Sequence, residues 1–266
     1  MGRPHIEFVQ SSDVQAQPAA ATGPFAGCTE RVLSRDDGTL AYTALVSVPP
    51  VWRGDLSVAG RPLELFVLEG ELELADHDLH PGSYAYVPQT SGSFVLSTAS
   101  AGYLLAMVEA PASTSGEDDL LVKDTPAMRW AASSFAEVPA GLVNKRLRDD
   151  PATGERTWVA ACPPGWMEAR AEVHPTVEES LVLRGDILLG NRGGMTPGCY
   201  FWRPPMVPHG PMYSRAGAEF FFRTKGGTLE VNYETVAGWD ELVEEYRARE
   251  PLYGPWPITG DRAGPA

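Results

Sequence analysis

The chain has 266 residues, with 21 Lys and Arg against 35 Asp and Glu, which gives a formal net charge of −14. Hydrophobic residues make up 43% of the sequence, enough to build a buried core, so global disorder is excluded as a description. The negative charge repels phosphate backbones and anionic lipids. We therefore expect no nucleic-acid partner and no membrane partner.

Targeting and cross-linking signals are also missing from the sequence. No apolar run approaches the roughly 20 residues that a membrane helix needs, and the first residues lack the basic and apolar regions of a secretion signal. Cys28, Cys162 and Cys199 are too far apart for a CxxC zinc site, and their odd number does not suggest a disulfide framework. These features predict a cytoplasmic protein.

Turn residues divide the chain into short apolar segments, because 27 Gly and 24 Pro are spread among runs rich in Val, Leu, Phe and Tyr. This pattern is typical of an all-β protein. In chain order we expect strands over 63–74, 103–108, 179–189 and 219–223. A helical apolar pattern with charges between its members follows at 236–249.

The two halves of the chain repeat one another. The matching pairs are Trp52 with Trp166, Val67-Leu68-Glu69-Gly70 with Val182-Leu183-Arg184-Gly185, Pro81-Gly82 with Pro197-Gly198, and Pro88 with Pro204. The offsets are 114, 115, 116 and 116 residues, and such small drifts at turns are expected of two copies of one β-fold. We expect Gly70 and Gly185 to occupy turns that need a positive φ.

The second copy carries a cluster of potential metal ligands. Glu172, His174 and Glu178 have the same parity, so on a strand their side chains point to one face. His209 follows a proline-rich corner and begins another strand. Two imidazoles with one or two carboxylates suit a first-row divalent metal and leave coordination positions open.

This spacing resembles the two motifs of the cupin superfamily. The first motif, GxxxxxHxHxxxExxxxxxG, corresponds to Glu172-x-His174-xxx-Glu178-xxxxxx-Gly185. The second motif, GxxxxxPxGxxHxxxN, corresponds to Gly198-xxxxx-Pro204-x-Met206-xx-His209-xxx-Tyr213. Three identities depart from the pattern, since Glu172, Met206 and Tyr213 stand where the motifs have His, Gly and Asn. The resemblance covers both copies, about two thirds of the chain, and indicates a bicupin.

The resemblance implies two tandem cupin barrels, each a double-stranded β-helix jelly roll, followed by a short C-terminal helix. We predict an N-terminal cupin domain over 1–112, a connection over 113–137, a metal-binding cupin domain over 138–228 and a tail over 229–266. The resemblance implies metal ligands at His174, Glu178 and His209, with Glu172 as an atypical fourth. In the first copy the equivalent positions are Ser57, Ala59, Leu63 and Ser93, which cannot hold a metal.

Several roles stay open at this stage. Glu172 is either a ligand or a general base. Glu179 is expected on the outer face of the barrel, although a bulge would exchange it with Glu178. Tyr213 either serves as a catalytic residue that moves a proton or holds a substrate oxygen, or packs in the core. Arg170 either clamps a substrate carboxylate as a catalytic residue or pairs with Glu168.

The function implied by the resemblance is that of a metal-dependent enzyme acting on a small organic substrate. Iron would suit a non-haem dioxygenase, whereas zinc, manganese or nickel would suit a redox-neutral isomerase, lyase or cyclase. The alternative is a non-catalytic metal or ligand sensor. The resemblance also leaves open a homodimer joined at sheet edges.

Overall fold

The computed structural model describes residues 2–56, 61–89, 92–111, 119–133, 141–190 and 192–248. The strands of the first half are β1 (Ile6–Gln10), β2 (Gln17–Pro18), β3 (Thr29–Arg35), β4 (Tyr42–Val48), β5 (Trp52–Asp55), β6 (Leu63–Glu69), β7 (Leu72–Leu74), β8 (His77–Leu79), β9 (Ser83–Val87), β10 (Val95–Thr98), β11 (Gly102–Val108) and β12 (Leu121–Asp124). A short 3-10 turn, Ser11–Asp13, follows β1.

The second half repeats this succession of strands and ends in a helix. Its strands are β13 (Ala131–Ala132), β14 (Val143–Asp149), β15 (Arg156–Cys162), β16 (Met167–Glu168), β17 (Arg170–Val173), β18 (Val177–Gly185), β19 (Ile187–Leu189), β20 (Gly193–Met195), β21 (Cys199–Arg203), β22 (Met212–Tyr213), β23 (Ala218–Lys225) and β24 (Asn232–Thr235). The helix is α1 (Trp239–Ala248). Within the described ranges, no helix is long and apolar enough to cross a membrane.

Each half forms a barrel from one seven-stranded and one four-stranded sheet. In the first barrel the orders are β12-β9-β6-β11-β4-β3-β2 and β5-β10-β7-β8. In the second barrel they are β1-β21-β18-β23-β15-β14-β13 and β16-β22-β19-β20. Apart from the edge strands β12 and β1, equivalent strands occupy equivalent places. The two copies predicted from the repeat therefore fold with one topology, and the predicted all-β architecture of two barrels with one short helix is confirmed.

The first strand of the chain belongs to the second barrel. β1 pairs antiparallel with β21, with Ile6 opposite Trp202 and Val9 opposite Tyr200. Its Phe8 packs against the apolar core of that barrel. The first barrel receives its own edge strand from the connection between the copies, because β12 pairs with β9. Each large sheet is thus completed by a strand from outside the repeated segment.

The two barrels pack through the outer faces of their large sheets. The buried apolar residues at this interface are Leu33, Leu45, Phe66, Tyr84, Tyr86, Leu105 and Met107 from the first barrel, and Leu147, Val159, Leu181, Tyr200, Trp202 and Phe221 from the second. A separate apolar core fills the inside of the first barrel, where Leu56, Leu63, Leu65 and Leu104 are fully buried. Both faces of the large sheets are therefore covered.

The predicted glycine turns and the predicted helix are both present. Gly70 and Gly185 have φ values of 89° and 74°, and a Cβ on Gly185 would lie 1.8 Å from the carbonyl oxygen of Gly217. The helix begins at Trp239, three residues later than the pattern suggested. Trp239 and Val243 are buried on its inner side, whereas the side chains of Leu242 and Tyr246, predicted for the same face, lie outside the described residues.

Candidate metal centre

Four residues predicted as metal ligands come together inside the second barrel. Glu172 lies on β17, His174 just after it, Glu178 near the start of β18 and His209 in the loop between β21 and β22. Backbone hydrogen bonds fix this loop: Glu172 N donates to His209 O at 2.7 Å, and His209 N donates to Glu172 O at 3.0 Å. The N–H of Met206, which has a φ of 64°, donates to His174 O at 2.7 Å. These hydrogen bonds join the segment at 172–174 to the segment at 206–209, the two segments that carry three of the four side chains.

The side-chain atoms of this cluster converge on one point. The Nε2 of His174 lies 3.6 Å from Glu172 Oε2 and 3.9 Å from Glu178 Oε1. The Nε2 of His209 lies 3.9 Å from Glu172 Oε2 and 3.4 Å from Glu178 Oε2. Ligand atoms of Glu172, His174 and His209 all lie within 4.8 Å of one another. Such spacing allows one ion to contact several of them at once.

The Nδ1 atoms of His174 and His209 determine which tautomer each ring adopts. The Nδ1 of His174 lies 3.0 Å from the carbonyl oxygen of Glu230, and the Nδ1 of His209 lies 3.3 Å from that of Val207. Because a carbonyl only accepts, each Nδ1 carries the proton and each Nε2 presents a lone pair to the cluster. The Nε2 of His174 is buried and has no hydrogen-bond partner among the described residues. This orphaned atom and the donor set fit a divalent metal ion.

Burial and neighbouring charges shift the protonation of the cluster. Burial opposes the charge on His174, but the nearby carboxylates of Glu172 and Glu178 outweigh burial and raise its pKa to about 9. Burial also raises the pKa of Glu172. Burial, aided by the charge of Arg203, holds the pKa of His209 well below its usual range. The buried carboxylates of Glu172 and Glu178 therefore need a positive charge beside them. Either protonated His174 or a bound metal ion would supply it.

A cavity of about 100 Å³ lies beside the cluster. The aromatic residues in its lining are Trp158, Trp166, Phe201, Phe220 and Phe222. These side chains come from β15, β21 and β23 and from the turn before β16, and alternation along the three strands points them inward. Trp166 lines this cavity, whereas Trp202 packs between the barrels.

Arg203 and Glu7 extend the cluster outward. Arg203 is 2% exposed, and its Nη1 lies 3.4 Å from Glu178 Oε2. Its Nη2 lies 3.6 Å from Oε1 of Glu7 on β1, and Glu7 is also paired with Arg192. Sequence reasoning missed both residues. Arg203 has the parity of Phe201 and could have been found by alternation, but Glu7 comes from the other end of the chain and carries no motif.

Arg170 and Tyr213 do not line the cavity. Arg170 forms two hydrogen bonds to Glu168, Nε–Oε1 at 2.8 Å and Nη2–Oε2 at 2.9 Å, and its guanidinium lies 3.6 Å from the ring centroid of Tyr233. Tyr213 is 4% exposed and packs with Trp239 of α1. The structure thus places each residue as its structural alternative describes, and a catalytic role for either one stays a prediction.

Glu179 points away from the cluster, as alternation with Glu178 requires. It lies on the outer face of its barrel but is only 2% exposed, because the first barrel covers it. Its carboxylate accepts hydrogen bonds from Thr43 of the first barrel at 2.7 Å and from Tyr200 at 2.7 Å. Glu179 therefore belongs to the interface between the barrels and not to the candidate metal centre.

The equivalent place in the first barrel holds no ligands among the described residues. Leu63 is fully buried in the apolar core, and Ser93 Oγ donates to Asp55 Oδ2 at 2.7 Å. Ser57 and Ala59, the other two equivalent positions, lie outside the described residues. The donor cluster is thus found in the second barrel, as the sequence predicts.

Comparison with solved structures identifies the fold. A protein from Nostoc punctiforme, provisionally named a dioxygenase, superposes with a TM-score of 0.76 at 19% identity over 88% of this chain and 92% of its own. A provisionally named glyoxylate-induced protein from Pseudomonas aeruginosa gives 0.66 at 16% identity, over 85% and 91%. A cupin 2 conserved barrel protein from Leptotrichia buccalis gives 0.54 at 10% identity, over 83% and 96%. The chain has the cupin fold.

Comparison at the level of sequence gives fewer matches than comparison with solved structures. No curated protein matches this chain. A family model described as a domain of unknown function, DUF4437, matches residues 7–231, from β1 to the segment before β24. Because this match covers most of the sequence, the chain belongs to the DUF4437 family.

Proposed function

We propose that this chain is a metal-dependent bicupin enzyme that converts a small organic substrate in its second barrel. The observation that carries the proposal is the convergence of two imidazole Nε2 atoms and two carboxylates beside a largely apolar cavity. Both rings are held by backbone carbonyls at Nδ1, which is how metal-binding histidines are oriented.

The donor set favours iron and dioxygenase chemistry. His174 and His209 form, with either Glu172 or Glu178, a set of two histidines and one carboxylate, the pattern of non-haem iron oxygenases. A bound divalent ion would polarise substrate oxygens, and iron would in addition permit reaction with dioxygen. The name given to the similar Nostoc protein supports the same reaction class.

The protein's own groups have distinct tasks in this proposal. The two histidines present Nε2 lone pairs, and Arg203 orients Glu178 through its contact with Oε2. The aromatic wall excludes water from the reacting atoms. Glu172 Oε2 lies 3.6 Å from His174 Nε2 and faces the cavity, so this carboxylate either binds the ion or takes a substrate proton at Oε2.

A redox-neutral reaction is the second candidate. Glu178 lies within 3.9 Å of both imidazole nitrogens, so it can act as a fourth donor. Four protein donors leave fewer open positions than three, which suits an isomerase, lyase or cyclase that uses zinc, manganese or nickel as a Lewis acid.

Metal analysis tests the shared part of both candidates. Protein purified without added metal should contain close to one divalent ion per chain, and His209→Ala should lose it while remaining folded. His80→Ala is the matched control, because His80 is a partly exposed histidine of the first barrel. Metal retained by His209→Ala would contradict the assignment.

Oxygen uptake then separates the two reaction classes. Iron-loaded protein is offered catechols, hydroxyketones and diketones, and consumption of dioxygen with product formation is expected of a dioxygenase. Conversion without oxygen uptake would favour the Lewis-acid enzyme. Bound metal without turnover of any class would instead indicate a sensor.

A further inference from the structure

The cavity beside the metal centre is small and has an apolar wall. It measures about 100 Å³, and the aliphatic residues that complete its lining include Leu142, Ile187, Leu189 and Leu229. We propose that it binds a compact, apolar monocarboxylate, an anion with a body no larger than about one ring. This inference rests on the proposed function of the same site and specifies the substrate class.

The size limit follows from the volume and from the packing of the wall. A cavity of about 150 Å³ in another protein is known to hold one benzene molecule, so a cavity of about 100 Å³ accepts a body no larger than one small ring. Trp158 and Phe222 are stacked with centroids 5.3 Å apart, and Phe220 lies 5.4 Å from Phe222. These rings support one another, so the wall yields only if several side chains move together.

The wall also selects against polar bodies. A hydroxyl group placed against the aromatic and aliphatic side chains would lose its hydrogen bonds to water without replacement, which weakens binding. Four polar side chains interrupt this wall, those of Ser133, Asn144, Arg146 and Arg156. The Nε1 of Trp166 is buried and has no hydrogen-bond partner in the part of the chain that the structure describes.

The charges around the centre favour a single negative charge on the ligand. With a divalent ion bound and both histidines neutral, the carboxylates of Glu172 and Glu178 and the guanidinium of Arg203 leave one net positive charge at the metal end of the cavity. Arg146 and Arg156, which also line the cavity, are both paired with Asp149. A monocarboxylate restores neutrality, whereas a neutral molecule leaves the excess charge uncompensated. Glu7, the next group outward, contacts both Arg203 and Arg192, so its negative charge and the positive charge of Arg192 offset each other in this balance.

Calorimetry with five probes tests size, polarity and charge separately. The two fitting probes are 2-methylpropanoate and benzoate. The three mismatched probes are 4-biphenylcarboxylate, which is too large, 2,3-dihydroxypropanoate, which has a polar body, and 2-methylpropanamide, which has no charge. Affinities are measured on the protein as isolated and again after loading with Co(II). We expect both fitting probes to bind at least tenfold more tightly than each mismatched probe.

Two Phe→Leu variants test whether the aromatic wall of the cavity sets the size preference. Phe222→Leu enlarges the cavity, so the preference for benzoate over 4-biphenylcarboxylate should shrink severalfold. Phe221→Leu is the matched control, because Phe221 is the next residue on β23 and faces the interface between the barrels. The Phe221→Leu variant should have the same size preference as the unaltered protein.

The outcomes distinguish the inference from the proposed function. The inference is overturned if neither fitting probe binds, if a mismatched probe binds as tightly as benzoate, or if Phe221→Leu relaxes the size preference as much as Phe222→Leu does. The proposed function fails separately, if the unaltered protein does not hold a metal or if His209→Ala holds it equally well.

Discussion

Glu64 in the first barrel and Glu179 in the second occupy equivalent positions, and both accept hydrogen bonds from the guanidinium of Arg223. The distances are 3.3 Å from Nη1 to Glu64 Oε1 and 2.6 Å from Nε to Glu179 Oε1. Each carboxylate also accepts from a tyrosine of its own barrel, Tyr84 at 2.6 Å and Tyr200 at 2.7 Å. Both carboxylates are at most 2% exposed, so an internal network replaces water.

The same carboxylates connect the two barrels. Thr157 of the second barrel donates to Glu64 at 2.6 Å, and Thr43 of the first barrel donates to Glu179 at 2.7 Å. The network is not symmetric in its cations. Arg223 lies beside Glu179 in the sheet, whereas the equivalent neighbour of Glu64 is Met107, and Arg3 Nη1 lies 3.5 Å from Glu179 Oε2. One guanidinium therefore compensates carboxylates from both barrels.

Replacement of this cation by the residue of the other copy should destabilise the protein strongly. Arg223→Met removes the guanidinium from Glu64 and leaves Glu179 with the more distant Arg3, and loss of one partner from a buried ion pair typically costs about 3–5 kcal/mol. Urea unfolding measures the loss. Arg184→Met, at an exposed position of the same barrel, should change the free energy of unfolding by less than about 0.5 kcal/mol. A loss below about 1 kcal/mol for Arg223→Met would contradict a dominant role for this cation.

Glu109 should make the fold sensitive to acid. Burial opposes its charge, but Arg223 and Lys225 outweigh burial and lower its pKa from 4.5 to about 2. A carboxyl whose pKa is depressed on folding stabilises the protein above its unfolded pKa, and this contribution disappears as the pH falls from about 5 to about 2. Glu109→Gln should therefore lose up to about 3 kcal/mol at pH 7 and show a flatter acid dependence. Identical acid profiles for both proteins would refute this assignment.

The fold was predictable because its signals are local and repeated. Glycine turns, alternating strands and matched offsets recur in both copies, and the repeat then predicts equivalent strands such as β6 and β18. The convergence of Glu172, His174 and Glu178 was predictable too, although the chain bends after β17, so these side chains do not lie along one continuous strand as alternation assumed.

Long-range relations could not be predicted from the sequence. Alternation assigns Glu179 to an outer face, but it does not reveal that another barrel covers that face. Tyr213 was counted in register from His209, yet the chain turns at Gly210, where φ is 103°, and the register is lost before β22. The pairing of β1 with β21 joins segments from opposite halves and has no local signal.

The negative charge of Glu30 should destabilise the fold, whereas that of Glu109 should stabilise it. It is 7% exposed, its Oε2 has no hydrogen-bond partner among the described residues, and burial raises its pKa. A raised pKa means that the charged form weakens the fold as the pH rises above about 4.5. Glu30→Gln should therefore stabilise the protein at pH 8 by on the order of 1 kcal/mol and have little effect at pH 4.

Thermal and urea unfolding at the two pH values test this sign. Glu69→Gln, at an exposed position of the first barrel, serves as the control and should change stability little at either pH. If Glu30→Gln instead destabilises the protein at pH 8, the charged carboxylate must have a stabilising partner, and the argument from burial is wrong.

Glu7 should strengthen metal binding although it belongs to the first strand of the chain. It faces the buried Arg203, which in turn contacts Glu178 Oε2. Without the carboxylate of Glu7, Arg203 keeps an uncompensated positive charge beside the centre and competes with the ion for Glu178. Glu7→Gln should therefore weaken Co(II) binding about tenfold, the lower end of the range for outer residues of metal sites, as measured by chelator competition.

Three further variants show whether Glu7 acts through Arg203. Glu7→Asp should recover most of the affinity, because it restores the charge at nearly the same place. Glu219→Gln removes a carboxylate of similar exposure from the same barrel and should leave the affinity unchanged. In the double variant Glu7→Gln with Arg203→Gln, the loss caused by Glu7→Gln alone should largely disappear, because no guanidinium is left uncompensated. Full additivity of the two changes would show that Glu7 affects the centre by another route.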